Sequence, residues 1–205
     1  MNDILVEIDT NSLKASRHFV LTKGKEAGMN GSPASHAMSL TTAHDSGGHG
    51  LEPPKPGDVS CSPTWAQPTA DGKFVLVACN KSDEIVEIDA ASWKVTRRIA
   101  ARPGVYNLAV TRDGKLIATN KRDQSVSIYE LKSGRELARI PTKRRVIHGA
   151  VVSPDNRFAF ISVEGVGSEP GTVEVIDLDT LKTVATVDVP QQAAGIDFFK
   201  MEPAK

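Results

Sequence analysis

The chain has 205 residues, 40% hydrophobic and 24% charged, which is apolar enough to bury the core of one globular domain. Its 25 Lys and Arg balance 25 Asp and Glu, so no global charge draws it to nucleic acid or to an anionic membrane, and any electrostatic role must be local. No apolar stretch approaches the ~20 residues that cross a bilayer, so no transmembrane segment is expected, and the start of the chain lacks the basic and apolar regions of a secretory signal.

In chain order, residues 4–9 alternate, with Leu5 and Glu7 on one face and Val6 and Ile8 on the other, and predict a strand; residues 14–21 predict a second. Residues 22–62 then break the pattern. Gly28, Gly31, Gly47, Gly48, Gly50 and Gly57, with Pro33, Pro53, Pro54 and Pro56, leave no room for another set of four regular strands. This stretch reads as a long Gly/Pro-rich inserted loop, and loops of that length without structure of their own are usually functional or disordered.

Three similar units follow. The turn Asp71-Gly72-Lys73 returns as Asp113-Gly114-Lys115 and as Asp155-Asn156-Arg157, in equal steps of about 42 residues. Behind each turn stands an apolar run (74–78, 116–118, 158–161), then an alternating run (85–89, 125–129, 173–177), then a closing run (94–99, 137–140, 183–189). With the inner run that leads into the turn, each unit holds four strands in about 40 residues, which is the sign of a β-propeller blade. The predicted fold is therefore all-β: a partial β-propeller of four-stranded antiparallel blades, about three full and two incomplete. Residues 1–21 form the incomplete first blade, 22–62 the inserted loop, 63–101, 102–144 and 145–190 the full blades, and 191–205 a closing inner strand and tail. In that last segment Ala194-Gly195-Ile196-Asp197-Phe198-Phe199 repeats Ile147-His148-Gly149-Ala150-Val151-Val152.

Val6-Glu7-Ile8-Asp9 is identical to Val86-Glu87-Ile88-Asp89, which sets position 1 opposite Lys81, halfway through a blade. The chain is accordingly expected to be a C-terminal fragment. The alternatives are a ring that borrows the two absent strands from its own C-terminus, or self-association that completes the ring.

Val152-Ser153-Pro154-Asp155-Asn156-Arg157, Val77-Ala78-Cys79-Asn80, Val175-Ile176-Asp177 and Thr183-Val184-Ala185-Thr186-Val187 together resemble the YVTN-type β-propeller repeat of bacteria and archaea, over residues 2–20 and 64–199. The resemblance implies seven-bladed, mostly exported proteins, similar in architecture to nitrite reductase haem domains and propeller lactonases. It implies a periplasmic or secreted location for the full-length protein. The long insertion, the absent half-blade and a blade count near four depart from that pattern.

In such a blade the loops from the outermost strand to the next innermost strand open on the same face as the loops between the second and third strands. The unusual residues gather in these two loop classes, and function on one face is the default expectation. Trp65, Tyr106, Asn107 and His148 begin inner strands and are candidate ligand-binding residues at the channel mouth. Lys81, Arg102, Lys121, Arg122, Lys143, Arg144 and Arg145 would form a basic rim for a small anionic molecule or an acidic protein partner. The bland reading is a set of solvated loop charges, since Asp83, Asp123 and Glu164 share those loops. His36, His44 and His49, with Asp45, are a candidate metal set, although their spacing fits no established zinc signature and a polar loop rich in His reads the same way. His148 could be a ligand, a general base or a polar residue bonded to channel water.

Folding the hairpin about Asp71 brings Cys61 and Cys79 close. A disulfide would fit an exported protein and free thiols a cytosolic one. No Cys-x-x-Cys-His, Gly-x-Ser-x-Gly or phosphate-binding Gly-rich motif is present. The expected function is a non-catalytic binding or scaffold module with no cofactor. The alternative is a propeller enzyme, either a lactonase-like hydrolase or a metal- or redox-cofactor oxidoreductase, with its site at the channel mouth.

Overall fold

A computed structural model describes residues 3–33 and 57–200. Fifteen strands are present among them, arranged as four antiparallel sheets that follow one another along the chain as the blades of a partial propeller. Blade 1 has three strands, β1 (Ile4–Asp9), β2 (Lys14–Val20) and β3 (Ala27–Asn30). Blade 2 is β4 (Pro63–Pro68), β5 (Phe74–Cys79), β6 (Glu84–Asp89) and β7 (Lys94–Ala100). Blade 3 is β8 (Val105–Val110), β9 (Lys115–Asn120), β10 (Ser125–Glu130) and β11 (Arg135–Pro141). Blade 4 is β12 (Val146–Val152), β13 (Phe158–Glu164), β14 (Gly171–Asp177) and β15 (Lys182–Val189). Among the inner strands, β8 packs between β4 and β12.

Turn chemistry fixes each sheet. At the first turn, Thr69 donates to Asp71 at 2.7 Å and accepts the Phe74 N–H at 3.1 Å, while Gly72 takes φ +69°. Ser153, Asp155 and Asn156 (φ +62°) repeat this arrangement, Asn being one of the few residues that tolerate the left-handed region. The outer hairpin is a second repeated device. Asp9 accepts Asn11 and Ser12 N–H groups, Asp89 accepts Ser92, and Asp177 accepts Asp179 and Thr180. Four residues on, Leu13, Trp93 and Leu181 sit at φ +54° to +56°, and a bulge in the pairing follows each time.

This hairpin corrects one register. The hydrophobic pattern set Tyr129 opposite Asp89 in the repeat, yet the Gly134 N–H bonds to the Glu130 carbonyl at 2.8 Å as Trp93 bonds to Asp89 at 2.9 Å. Glu130 is therefore the equivalent of Asp89. A one-residue slip exchanges the two faces of a strand, and Tyr129, 2% exposed, turns inward among the residues shared with blade 2.

The core lies between the blades. Phe19, Leu21, Val77, Val86, Ile88 and Trp93 fill the space between blades 1 and 2; Leu76, Ile85, Leu108 and Leu116 fill that between blades 2 and 3; Ile117, Val126, Ile128 and Ile147 fill that between blades 3 and 4. The strand β3 is the part of the inserted stretch that was not anticipated. It joins the outer edge of blade 1, pairing Phe19 with Gly28 and Arg17 with Asn30. It sits there because Trp93 of blade 2 lies against Gly28 and donates Nε1–H to the His18 carbonyl at 2.9 Å, with Phe19 edge-on to its ring and Arg17 over it. Residues 190–200 contain no strand, so the closing inner strand is not formed. Ser162 nevertheless donates to the Ala194 carbonyl at 2.7 Å, as Thr119 donates to the His148 carbonyl at 3.0 Å. Ala194 thus occupies the place of His148, one position off the register the sequence implied.

Cys61 and Cys79 are joined by a disulfide, with Cα atoms 4.4 Å apart, at the boundary of blades 1 and 2.

Candidate functional site

Backbone hydrogen bonds tie the two loop classes together on one face. Lys121 N–H bonds to Gly104 O at 2.8 Å, Asp123 to Pro103 at 3.0 Å, Lys81 to Cys61 at 3.1 Å and Gly165 to Gln191 at 3.1 Å. The first three pairs join a loop between second and third strands to the connection entering the inner strand of the same blade, and the fourth joins that loop of blade 4 to the segment that follows the blade. Gly104, at φ +76°, has the Arg122 backbone against the place a Cβ would take, which is why the two loops can approach so closely.

On this face Tyr106, from the start of β8, meets His148, from the start of β12, edge to face with centroids 5.3 Å apart. Lys121, from the loop after β9, places Nζ 3.6 Å from the Tyr106 ring centroid and 3.1 Å from His148 Nε2. Glu164, at the end of β13, places Oε1 2.9 Å from the same Nε2. All four are partly buried. Burial holds the Lys121 ammonium below its usual range, opposed by the negative charge of Glu164. Burial, and then the Lys121 charge, lowers His148, again opposed by Glu164.

The remaining channel-mouth candidates lie elsewhere. Asn107 is buried and its side-chain oxygen accepts the Ala150 N–H at 3.3 Å, so it links inner strands. Trp65 is 43% exposed and lines a shallow groove of about 670 Å³ along the inner strands, with Gln67, Val110, Val152 and Ile196.

Most of the basic rim is already engaged. Arg102 forms a forked pair with Glu136 at 3.1 and 2.6 Å, and Arg122 reaches Asp83 at 2.5 Å. Lys143 approaches Asp188 at 3.4 Å, and Arg144 stands 3.6 Å from both Glu169 and Asp188. Among the described residues, Lys81 and Arg145 are exposed and form no ion pair. The rim therefore projects far less charge than seven cations would, because carboxylates of the loops and outer strands neutralise it locally. His36, His44 and His49 lie outside the described residues, and among the described residues no group of three or more His, Cys, Asp or Glu is arranged to hold a metal ion. Also among these residues, no helix is long and apolar enough to cross a membrane.

Sequence reasoning treated Glu164 only as a neutralising loop charge. The signal that marks it is its place at the mouth of the extra loop of blade 4, opposite the basic loop that carries Lys121. Asp3 was not singled out. It is buried and accepts Thr22, Ser60, Cys61 and Ser62 at 2.8–3.0 Å.

No protein-family model matches the chain, and no curated protein matches it. Solved structures do. Hydrazine synthase of Kuenenia stuttgartiensis is similar at 23% identity and a TM-score of 0.59, covering 66% of this chain and 38% of that one. U3-55K matches at 19% identity and a TM-score of 0.56, covering 65% and 41% respectively. The WD40 repeats of RRP9 match at 19% identity and a TM-score of 0.56, covering 65% and 40%. The chain spans about two fifths of the length of these structures. At such identities the likeness carries the fold, a β-propeller, and fold alone does not carry activity.

Proposed function

We propose that this propeller segment is a binding module that holds an anionic ligand, either a small carboxylate or an acidic segment of a protein partner, on its loop-bearing face around Lys121. The observation behind this reading is the setting of the Lys121 amine, which lies against the Tyr106 ring and the His148 imidazole and has no direct carboxylate pair among the described residues. Exposed Lys81, on the loop between β5 and β6, and Arg145, on the connection from β11 to β12, belong to the two loop classes of this face and add attraction that salt would screen. Backbone amide shifts recorded while succinate or a hexaglutamate peptide is titrated in test it. Shifts confined to residues 103–107, 121–124, 145–148 and 164–170, and lost in Lys121→Ala, support the module. Shifts centred on the opposite turns, at 70–73 and 112–115, or unchanged in Lys121→Ala, overturn it.

The repeat motifs quoted above support placing the chain with YVTN-type propellers. The Cys61–Cys79 bond suits an oxidising compartment, and we read the full-length protein as periplasmic or secreted. Recovery of native protein with both thiols free would contradict that location.

A second reading, a propeller enzyme, is favoured by His148 Nε2 standing between an amine and a carboxylate at hydrogen-bond distance. Lactone hydrolysis that disappears in His148→Ala would establish it; no turnover above the variant's would remove it.

A further inference from the structure

The imidazole nitrogen at the centre of the candidate site has two neighbours that ask opposite things of it. His148 Nε2 lies 3.1 Å from the Lys121 amine, a donor, and 2.9 Å from Glu164 Oε1, an acceptor. One nitrogen cannot serve both at once. With the proton on Lys121, Nε2 accepts from the ammonium and its lone pair faces the carboxylate. With the proton on Nε2, the imidazolium donates to Glu164 and Lys121 is a free amine. The contacts therefore describe one proton with two residences, the second of which is held by a carboxylate.

The first residence is the main one, because the buried His148 imidazole takes a proton less readily than usual, and the second is the minor state from which the amine reacts. The Lys121 Nζ lies over the face of Tyr106, which attracts the ammonium, while burial and the lack of a direct carboxylate contact among the described residues ease release of its proton. The amine that results is a nucleophile next to the base that activated it, which is the arrangement that activates lysines toward carbonyl carbon.

We propose that Lys121 is a covalent capture site for small aldehydes and ketones, forming an imine with His148 as the proton carrier and Glu164 as its positioning residue. This rests on the ligand site proposed above and names a chemistry for it. His148 Nε2 takes one proton from the Lys121 ammonium. The freed lone pair attacks the carbonyl carbon, forming the C–N bond while the C=O π pair moves to oxygen. A proton passes from nitrogen to that oxygen within the adduct, giving a carbinolamine. The imidazolium returns its proton to the hydroxyl, the C–O bond breaks, water leaves, and the nitrogen lone pair forms the C=N bond. Ammonium plus carbonyl becomes protonated imine plus water, with charge conserved.

Glyoxylate, an aldehyde that also carries a carboxylate, separates this inference from the reading it rests on. The intact chain is exposed to glyoxylate with and without cyanoborohydride, and adducts are mapped on every lysine by peptide mass spectrometry. The proposal expects the reduced adduct on Lys121 in several-fold excess over any other lysine, lost in Lys121→Arg and slowed several-fold in His148→Ala. Glu164→Gln should shift the pH dependence of labelling, a change that a merely structural residue would not produce. Lys121→Arg keeps the cation. Amide shifts from glyoxylate that persist in Lys121→Arg while wild-type Lys121 is labelled no more than the other lysines would overturn covalent capture and leave anion binding standing. Absence of both labelling and shifts would overturn the two together.

Discussion

The Asp3 carboxylate accepts the Ser62 backbone N–H at 2.9 Å, joining residues 59 positions apart, and Asp83 accepts the Gly104 N–H at 2.7 Å in the same way. Ser62 and Gly104 share positive φ values, 49° and 76°. Each carboxylate thus fastens one blade to the entry of the next inner strand. Asp3 also takes Thr22, Ser60 and Cys61, which anchors both ends of the inserted stretch where they join the blades.

Replacing Asp3 by Ala leaves one buried and one part-buried backbone donor, of Cys61 and Ser62, without this partner, and should destabilise the fold by about 2 kcal/mol at pH 7 in urea unfolding. Burial raises the Asp3 pKa, but hydrogen bonds from Ser62, Cys61, Ser60 and Thr22 outweigh it and hold the carboxyl below its ordinary value. A carboxyl depressed in the fold stabilises it above the unfolded value and loses that stabilisation as pH falls through the folded one. The gap between wild type and Asp3→Ala should therefore shrink below pH about 3.9.

Reducing the Cys61–Cys79 bond, which closes a loop of sequence separation 18, should lower unfolding stability by about 3 kcal/mol. Intact mass should rise by two hydrogens on reduction. A Cys61→Ser, Cys79→Ser pair should reproduce the loss in the absence of reductant.

A Cβ added at Gly28 would lie 2.6 Å from both the Trp93 carbonyl oxygen and its ring, so Gly28→Ala should push β3 off the edge of blade 1. Limited proteolysis should then cut within residues 22–33 faster than in wild type. Blades 3 and 4 should keep their amide protection, because they share no core with that edge.

Because His148 is held below its ordinary value by burial and by the Lys121 charge, the unfolded chain takes up its proton first as pH falls. Stability contributed here is present above the unfolded value near pH 6.5 and is lost as pH drops through the folded one. His148→Ala should flatten that part of the stability profile in a denaturant series from pH 7.5 to 5.

The blades were legible because their turns are local chemistry. Thr69, Asp71 and Gly72 write the same hydrogen bonds as Ser153, Asp155 and Asn156, and no distant residue is needed to read them. The strand β3 was not legible. Ala27-Gly28-Met29-Asn30 has weak strand character and becomes a strand only because Trp93 and Arg17, remote in sequence, hold it in place. The register of blade 3 was misread for a related reason: the apolar pattern favoured Tyr129, while Gly134 sets the hairpin. At the candidate site, the repeat put Tyr106, Lys121 and His148 on one face, but it could not show that Arg102 and Arg122 spend their charge on Glu136 and Asp83. Nor could it place Asn107 inside, since that depends on the Ala150 N–H of the next blade.

The Lys121 amine should differ chemically from the exposed lysines on the surface. Its titration can be followed by carbon-13 NMR of lysine side chains, assigned by Lys121→Arg. Burial against Tyr106 and His148 should bring the Lys121 midpoint below the ordinary 10.5 and ahead of the exposed lysines as pH rises. A Lys121 signal that titrates together with the exposed lysines would contradict it.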